Sequence, residues 1–393
     1  MELVFDEHIY RIARNHRHYP AVPLMLATRA LLILLLILYF WVPALVSALI
    51  FDNEFYIYSN SQENANILSY IYGAIFISWS YLLFRPTKGF LSNRAAAKLT
   101  NWKGLPIAYF TMLTYGLALL VQGQRIRGTG ATREELLDGM DDFLLPGMGL
   151  LLLLTSVYCV ARATRLQFYG MFLIFLLIDI TYNGKIFSFL ALILFFMRLD
   201  YFRPPTNLII KAFLFWGLLG LSMLLFSGLM RLSLAGDDLS TDMIGVAYLF
   251  GSEFLGVQAS IGWAMEYFAE GYPMSFWAFG ATLQDFYKSS VGHGLATSPG
   301  AFFEANFGNA GPFLAIFGSA ITLMLFQISV RVLGWIVYLI VAINFQHFLR
   351  HGIDVFLGKV IFQMIFAILV AGLTGSLKVK EPQICKITNL AAK

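Results

Sequence analysis

The chain has 393 residues, 59% of them apolar and only 13% Asp, Glu, Lys or Arg, about half the charged share of a soluble domain. With a mean hydropathy of +0.71 and continuous apolar runs, a water-soluble protein is excluded, and so is a β-barrel, whose strands alternate apolar and polar residues. The net charge of +4 carries no nucleic-acid reading, because in a membrane protein the location of basic residues matters more than their sum. Two cysteines, Cys159 and Cys385, are too few for a disulfide framework or a thiolate metal site.

In chain order, hydropathy predicts an all-α integral membrane protein of about ten transmembrane helices, at 24–50, 66–84, 105–123, 143–161, 167–181, 184–198, 208–230, 308–326, 332–349 and 353–375. The first run is longer than a signal-peptide core and reads as an uncleaved span. Charge sorts by connection. Arg11, Arg14 and Arg17 precede the first span, and Arg85, Lys88, Arg94, Lys98 and Lys103 fill the second connection without an acid, so both belong in the cytoplasm. The tail with Lys378, Lys380 and Lys386 falls on the same side, which puts both termini there. The opposite connections are acidic, with Asp52, Glu54 and Glu63 in the first and Glu134, Glu135, Asp138, Asp141 and Asp142 in the next. The chain reads as one polytopic domain over 1–393, with one large outer loop at about 231–307. In that loop Gly245 to Tyr267 and Trp277 to Tyr287 read as amphipathic stretches, lying along the interface or folding as short helices over the bundle.

Charged groups at membrane depth are expensive, so each asks for a reason. Asp179 and Lys185 flank a short outer turn, Arg231 sits where the seventh span emerges, and Arg350 and Lys359 bracket the start of the tenth. One reading pairs Asp179 with Lys185 and Arg350 with Asp354, while Arg231 and Lys359 snorkel. The other is a cation-rich outer cavity suited to a diphosphate leaving group. A second constellation is the segment from Gly292-His293-Gly294 through Ser298-Pro299-Gly300 and Glu304 to Phe307-Gly308-Asn309-Ala310-Gly311. Ser298-Pro299-Gly300 makes a tight turn or helix start, Glu304 then lies one turn inside the helix leading to the eighth span, and His293 and Glu304 are candidate acid or base groups. As plain structure, His293 would hydrogen-bond backbone and Glu304 would face a helix N-terminus. A third set, His347, Arg350, His351 and Asp354, presents one face if the helix is continuous across it. Two histidines and a carboxylate suit zinc, but the adjacent arginine opposes a cation and favours an anion, so no metal site is expected. The sequence contains no phosphate-binding Gly-x-x-x-x-Gly-Lys-Ser/Thr loop, no dinucleotide fingerprint and no Gly-x-Ser-x-Gly.

On these residues the chain resembles the bacterial O-antigen or oligosaccharide repeat-unit polymerases, the Wzy-type family. The resemblance rests on the span count, the large loop in the second half, His293-Gly294 with Ser298-Pro299-Gly300, Glu304 and Phe307-Gly308-Asn309-Ala310-Gly311, and basic residues at Lys185 and Arg350. Two departures stand out: Lys185 occupies a position where an arginine is expected, losing the bidentate fork, and the large loop has only Arg231 at its root. The resemblance implies a metal-independent, cofactor-free glycosyltransferase of GT-C-like architecture in the bacterial inner membrane, acting at the periplasmic face. It would transfer a growing glycan from undecaprenyl diphosphate to an incoming lipid-linked repeat unit. His293 or Glu304 would be the general base, and Arg231, Arg350, Lys185 and Lys359 would hold the diphosphate, with Arg125 and Arg127 as further cations. Asp354, His351 and Asp179 would support them. The partners implied are lipid-linked oligosaccharides and the bilayer, with room for a polysaccharide chain-length regulator and no nucleic acid. An O-antigen ligase would share nearly every feature, and a lipid-linked oligosaccharide flippase or other transporter is the alternative from another class.

Overall fold

A computed structural model describes residues 25–50, 52, 57–85, 94–129, 136, 147–182, 184, 186–202, 207, 209–216, 243–271, 279–291 and 296–373. These residues are almost entirely helical, and the pairing outside helices is one isolated bridge between Thr297 and His351. The helices in chain order are α1 (Leu26–Ile50), α2 (Gln62–Leu83), α3 (Arg94–Thr100), α4 (Leu105–Gly128), α5 (Met148–Ala161), α6 (Arg165–Tyr182), α7 (Ile186–Phe202), α8 (Met243–Ala269), α9 (Phe279–Val291), α10 (Pro299–Phe307), α11 (Gly311–Leu333), α12 (Trp335–Ile343), α13 (Phe345–Arg350) and α14 (Ile353–Leu373). Among the described residues, six are long and apolar enough to cross a membrane: α1, α2, α4, α6, α14 and the α10–α11 unit. The protein is an all-α membrane protein whose outer flanks meet lipid.

The membrane solvent explains which residues point inward. In α2 the buried line Gln62, Asn66, Ser69, Gly73, Phe76 and Ser80 recurs every three or four residues, while Ile67, Ile71, Tyr81 and Leu82 are exposed. Within the span the polar side chains thus share the bundle-facing side with Phe76 and Trp79, because hydrocarbon offers no hydrogen-bond partner. Helix α1 contains one π turn at Ile37–Trp41, and Val42 N–H donates to Ile37 O. Pro43 has no N–H for the carbonyl four residues back, so the ladder relaxes just before it.

Helix ends inside such a bundle need partners for their free backbone groups. Asp200 on α7 accepts from Ala27 N–H at 2.9 Å and Thr28 N–H at 2.8 Å, capping the start of α1 from a distant helix. Arg198 donates to the carbonyls of Cys159 and Ala163, closing the end of α5. Asp179 accepts from Phe187 N–H at 3.2 Å and Ser188 N–H at 2.5 Å, so its carboxylate caps α7. Arg127, counted among the further cations, donates to Ile180 O at 2.6 Å at the end of α6. Each of these charged groups meets free backbone groups at a helix terminus.

Two differences from the hydropathy reading have physical causes. The stretch Gly245 to Tyr267 is not a set of short helices over the bundle but part of the 27-residue α8, which packs against α10, α2 and α1. Leu255, Val257, Ile261 and Tyr267 are buried along it together with Gln258, Ala259, Ser260 and Ala264, so this stretch meets protein on most sides, where an interfacial helix would leave one face in water. The span expected at 332–349 is broken at Asn344, whose amide donates to Ile340 O at 2.8 Å and to Gln363 Oε1 at 2.7 Å. Gln363 in turn donates to Gly149 O at 3.0 Å, so one amide pair joins α5, α14 and the α12–α13 break. Of the span expected at 208–230, only 209–216 lies within the described residues.

Candidate active site

Helix α10 carries the site. Ser298 caps it, its Oγ accepting from Ala301 N–H at 3.0 Å, and Pro299 opens the first turn where a missing N–H is harmless. The helix runs nine residues to Phe307 and a 3-10 turn at Gly308–Ala310 passes the chain into α11. Glu304 is therefore the sixth residue of α10, just past one turn inside the helix that leads to α11, as the sequence predicts, roughly 9 Å along the axis from Ser298 at about 1.5 Å per residue.

The Glu304 side chain is 2% exposed and accepts from the hydroxyl of Tyr72 at 2.5 Å, Oη to Oε1. Tyr72, on α2, is fully buried, and its ring stacks on Phe76 and Phe303 with centroids 6.0 and 6.3 Å away. The Tyr72 hydroxyl thus holds one oxygen of the Glu304 carboxyl and leaves the other without this partner. The pair exists because two glycines make room for it. A Cβ on Gly311 would stand 2.5 Å from Tyr72 Oη and 2.8 Å from Glu304 Oε1, and a Cβ on Gly300 would stand 2.9 Å from the Tyr72 ring. The aromatic cluster continues from Phe76 and Trp79 to Phe348 on α13, at 5.1 and 5.4 Å, and from Phe348 to Phe356 on α14 at 5.2 Å. That cluster fastens α13 and α14 to the helices bearing the pair.

The entry to α10 meets the turn between α13 and α14. Thr297 N–H donates to Arg350 O at 2.9 Å, and Thr297 bridges to His351. The helix is not continuous from His347 to Asp354: α13 ends at Arg350, and Gly352 at φ 95° turns the chain into α14. That conformation suits glycine, and it puts Asp354 in the first turn of a separate helix, buried at 5% exposed. His347 and His351 nevertheless meet, Nδ1 to Nδ1 at 3.2 Å, and Lys359 Nζ reaches His347 Nε2 at 2.8 Å. An ammonium only donates, so His347 Nε2 accepts. With Lys359 an ammonium and both rings neutral, His347 holds its proton on Nδ1 and donates it to His351 Nδ1, and His351 carries its own proton on Nε2. The result is a chain of contacts from Lys359 through His347 to His351, whose backbone pairs with Thr297.

The loop before α10 is fastened from the other side. Ser298 N–H donates to Ser260 Oγ at 3.1 Å, and Gln284 on α9 donates to Thr297 Oγ1 at 3.3 Å. Tyr287 donates to Ser260 O at 3.1 Å, and burial holds its hydroxyl well above the usual tyrosine pKa. Near the start of α2, Gln62 donates to Gln258 Oε1 at 2.7 Å and Gln258 donates to Asn66 Oδ1 at 2.6 Å, an amide network joining α2 to α8. Beside it the buried Tyr58 hydroxyl is pushed up to about 12 by desolvation.

Comparison with protein-family models, curated proteins and solved structures finds no match.

Of the residues singled out from the sequence, Glu304, Arg350, His351, Asp354 and Lys359 lie on α10, at the α13–α14 turn and along α14, which the Thr297 pairing joins. Asp179 sits near the end of α6, and its carboxylate caps the start of α7. His293, Arg231 and Lys185 lie outside the described residues. Tyr72 was missed. A signal for it existed: Gln62, Asn66, Ser69 and Tyr72 fall at intervals of four, three and three in a membrane helix, a polar stripe that must face protein.

Proposed function

We propose that this chain is a polysaccharide polymerase of the O-antigen type, a metal-independent glycosyltransferase joining undecaprenyl-diphosphate-linked repeat units. The proposal includes the ten-span, GT-C-like arrangement, an inner-membrane location with both termini cytoplasmic, and a site opening to the periplasm. One observation supports it above the rest: the backbone pairing of Thr297 with Arg350 and His351 joins the entry of the carboxylate-bearing helix to the turn that carries Arg350. Inverse charges on neighbouring elements are what glycosyl transfer from a diphosphate requires.

In this reading Tyr72 holds Oε1 of Glu304, and the other carboxylate oxygen takes the proton from the acceptor hydroxyl. The acceptor oxygen then forms its bond to the anomeric carbon as the bond to the diphosphate oxygen breaks. The electron pair leaves with the diphosphate, whose charge is met by Arg350 and Lys359, with Arg231 and Lys185 as further cations. His293 is the other candidate for the base. Asp354 orients the turn, and Nε2–H of His351 donates to the departing oxygens.

The test is extension of the native lipid-linked repeat unit by purified protein in detergent, with EDTA and without nucleotide, comparing wild type with Arg350→Ala. A ladder of longer lipid-linked products that disappears in the variant is expected. A folded wild-type protein that binds the substrate without extending it would overturn the reading.

A further inference from the structure

At the opposite end of the bundle from Glu304, a cavity of about 450 Å³ opens between three helix ends. Its described lining is Ala95 and Lys98 of α3, Arg331, Val332 and Leu333 of α11, and Ile368, Ala371 and Gly372 of α14. The lining divides by chemistry. Lys98 and Arg331 supply two cations with no acid among the described lining residues, and the remainder is apolar, with Val332 46% and Ile368 47% exposed along the lipid-facing flank.

The location has the same character. Arg85, Lys98, Lys103, Arg162 and Arg165 all lie at helix ends or short turns on this end of the bundle, the charge bias of a cytoplasmic face. Helix α14 has 21 residues, about 32 Å at 1.5 Å per residue, so its last turn sits at headgroup level when its first turn is at the opposite interface. The chain that follows it, 374–393, carries four lysines against one acid. That segment has the same sign of charge as the two cations of the pocket.

We propose that this pocket binds an anionic glycerophospholipid from the adjacent leaflet. Its phosphate sits between Lys98 and Arg331, and the first part of an acyl chain lies along Val332 and Ile368. The cations alone would take any phosphate, but a free ion would leave the apolar wall uncovered. Basic pockets between membrane helices on the cytoplasmic side have this ligand chemistry in general. Because α11 follows directly from α10 and α14 carries Lys359, the lipid bridges the far ends of two helices that carry site residues. Its binding is independent of what reaction the site performs.

The test uses the full-length protein in detergent with phosphatidylglycerol or phosphatidylethanolamine of matched chains, bound lipid being counted by native mass spectrometry. Wild type is expected to retain phosphatidylglycerol preferentially. Lys98→Ala with Arg331→Ala is expected to weaken that binding about 30-fold, at roughly fivefold per cation. Ile368→Trp keeps both charges but fills the pocket, and it should displace the lipid in protein that still elutes as a single folded species. Equal retention of the two lipids by wild type would overturn the proposal. So would a phosphatidylglycerol preference that survives both the charge and the filling variants.

Discussion

Tyr72→Phe removes one hydroxyl and leaves the ring, so its stacking on Phe76 and Phe303 survives while Glu304 loses its partner. The size of the loss is bounded from two sides. Side-chain hydrogen bonds inside membranes average about 0.6 kcal/mol, and a bond to a charged group in a buried site reaches about 3 kcal/mol. With Tyr72 and Glu304 at 0% and 2% exposed, water has little access to replace the bond, and we expect about 2 kcal/mol. Glu304→Gln gives the contrast. The amide oxygen still accepts from Tyr72, so the variant should lose less stability than Tyr72→Phe while losing any proton transfer. In the Glu304→Gln background, Tyr72→Phe should cost only about 1 kcal/mol, the value of a neutral bond. Reversible unfolding in mixed micelles, run as a double-mutant cycle, measures all three differences. If Tyr72→Phe proves as stable as wild type, or Glu304→Gln falls as far as Tyr72→Phe, the charged hydrogen bond at the heart of the site is refuted.

Gly311→Ala tests the same pair sterically: its methyl would meet Tyr72 Oη at 2.5 Å, and overpacking of this kind costs about 1–3 kcal/mol, with turnover falling alongside stability in micelle unfolding and product assays. Asp200→Ala removes the cap on Ala27 and Thr28 N–H and should cost about 1–2 kcal/mol without altering turnover per folded molecule. A turnover defect in Asp200→Ala at full folding would argue that the far end of the bundle takes part in the chemistry.

Much of the bundle was legible because a membrane makes hydropathy nearly sufficient for locating helices: α1, α2, α4, α6 and α14 fall where the apolar runs predict. The start of α10 was legible too, since Ser298-Pro299 is a local capping signal that no distant contact has to supply. Less was legible where partners come from far along the chain. Tyr72 and Glu304 are separated by 232 positions, and in a chain with 19 tyrosines one tyrosine in a span reads as packing until its neighbours are known. Asp200 and Arg198 look like ordinary cytoplasmic charges, and their role as caps on α1 and α5 follows only from which helix ends lie beside them. The break at Gly352 was the opposite case: a glycine between His351 and Asp354 was a sufficient local sign that one helical face would not carry all four side chains.

The most direct measurement of the central claim is the extension reaction with Glu304→Gln beside wild type, both verified as folded and both loaded with the lipid-linked repeat unit. The account predicts a product ladder from wild type and none from the variant at equal substrate binding. An undiminished ladder from Glu304→Gln would contradict it and remove Glu304 from the reaction.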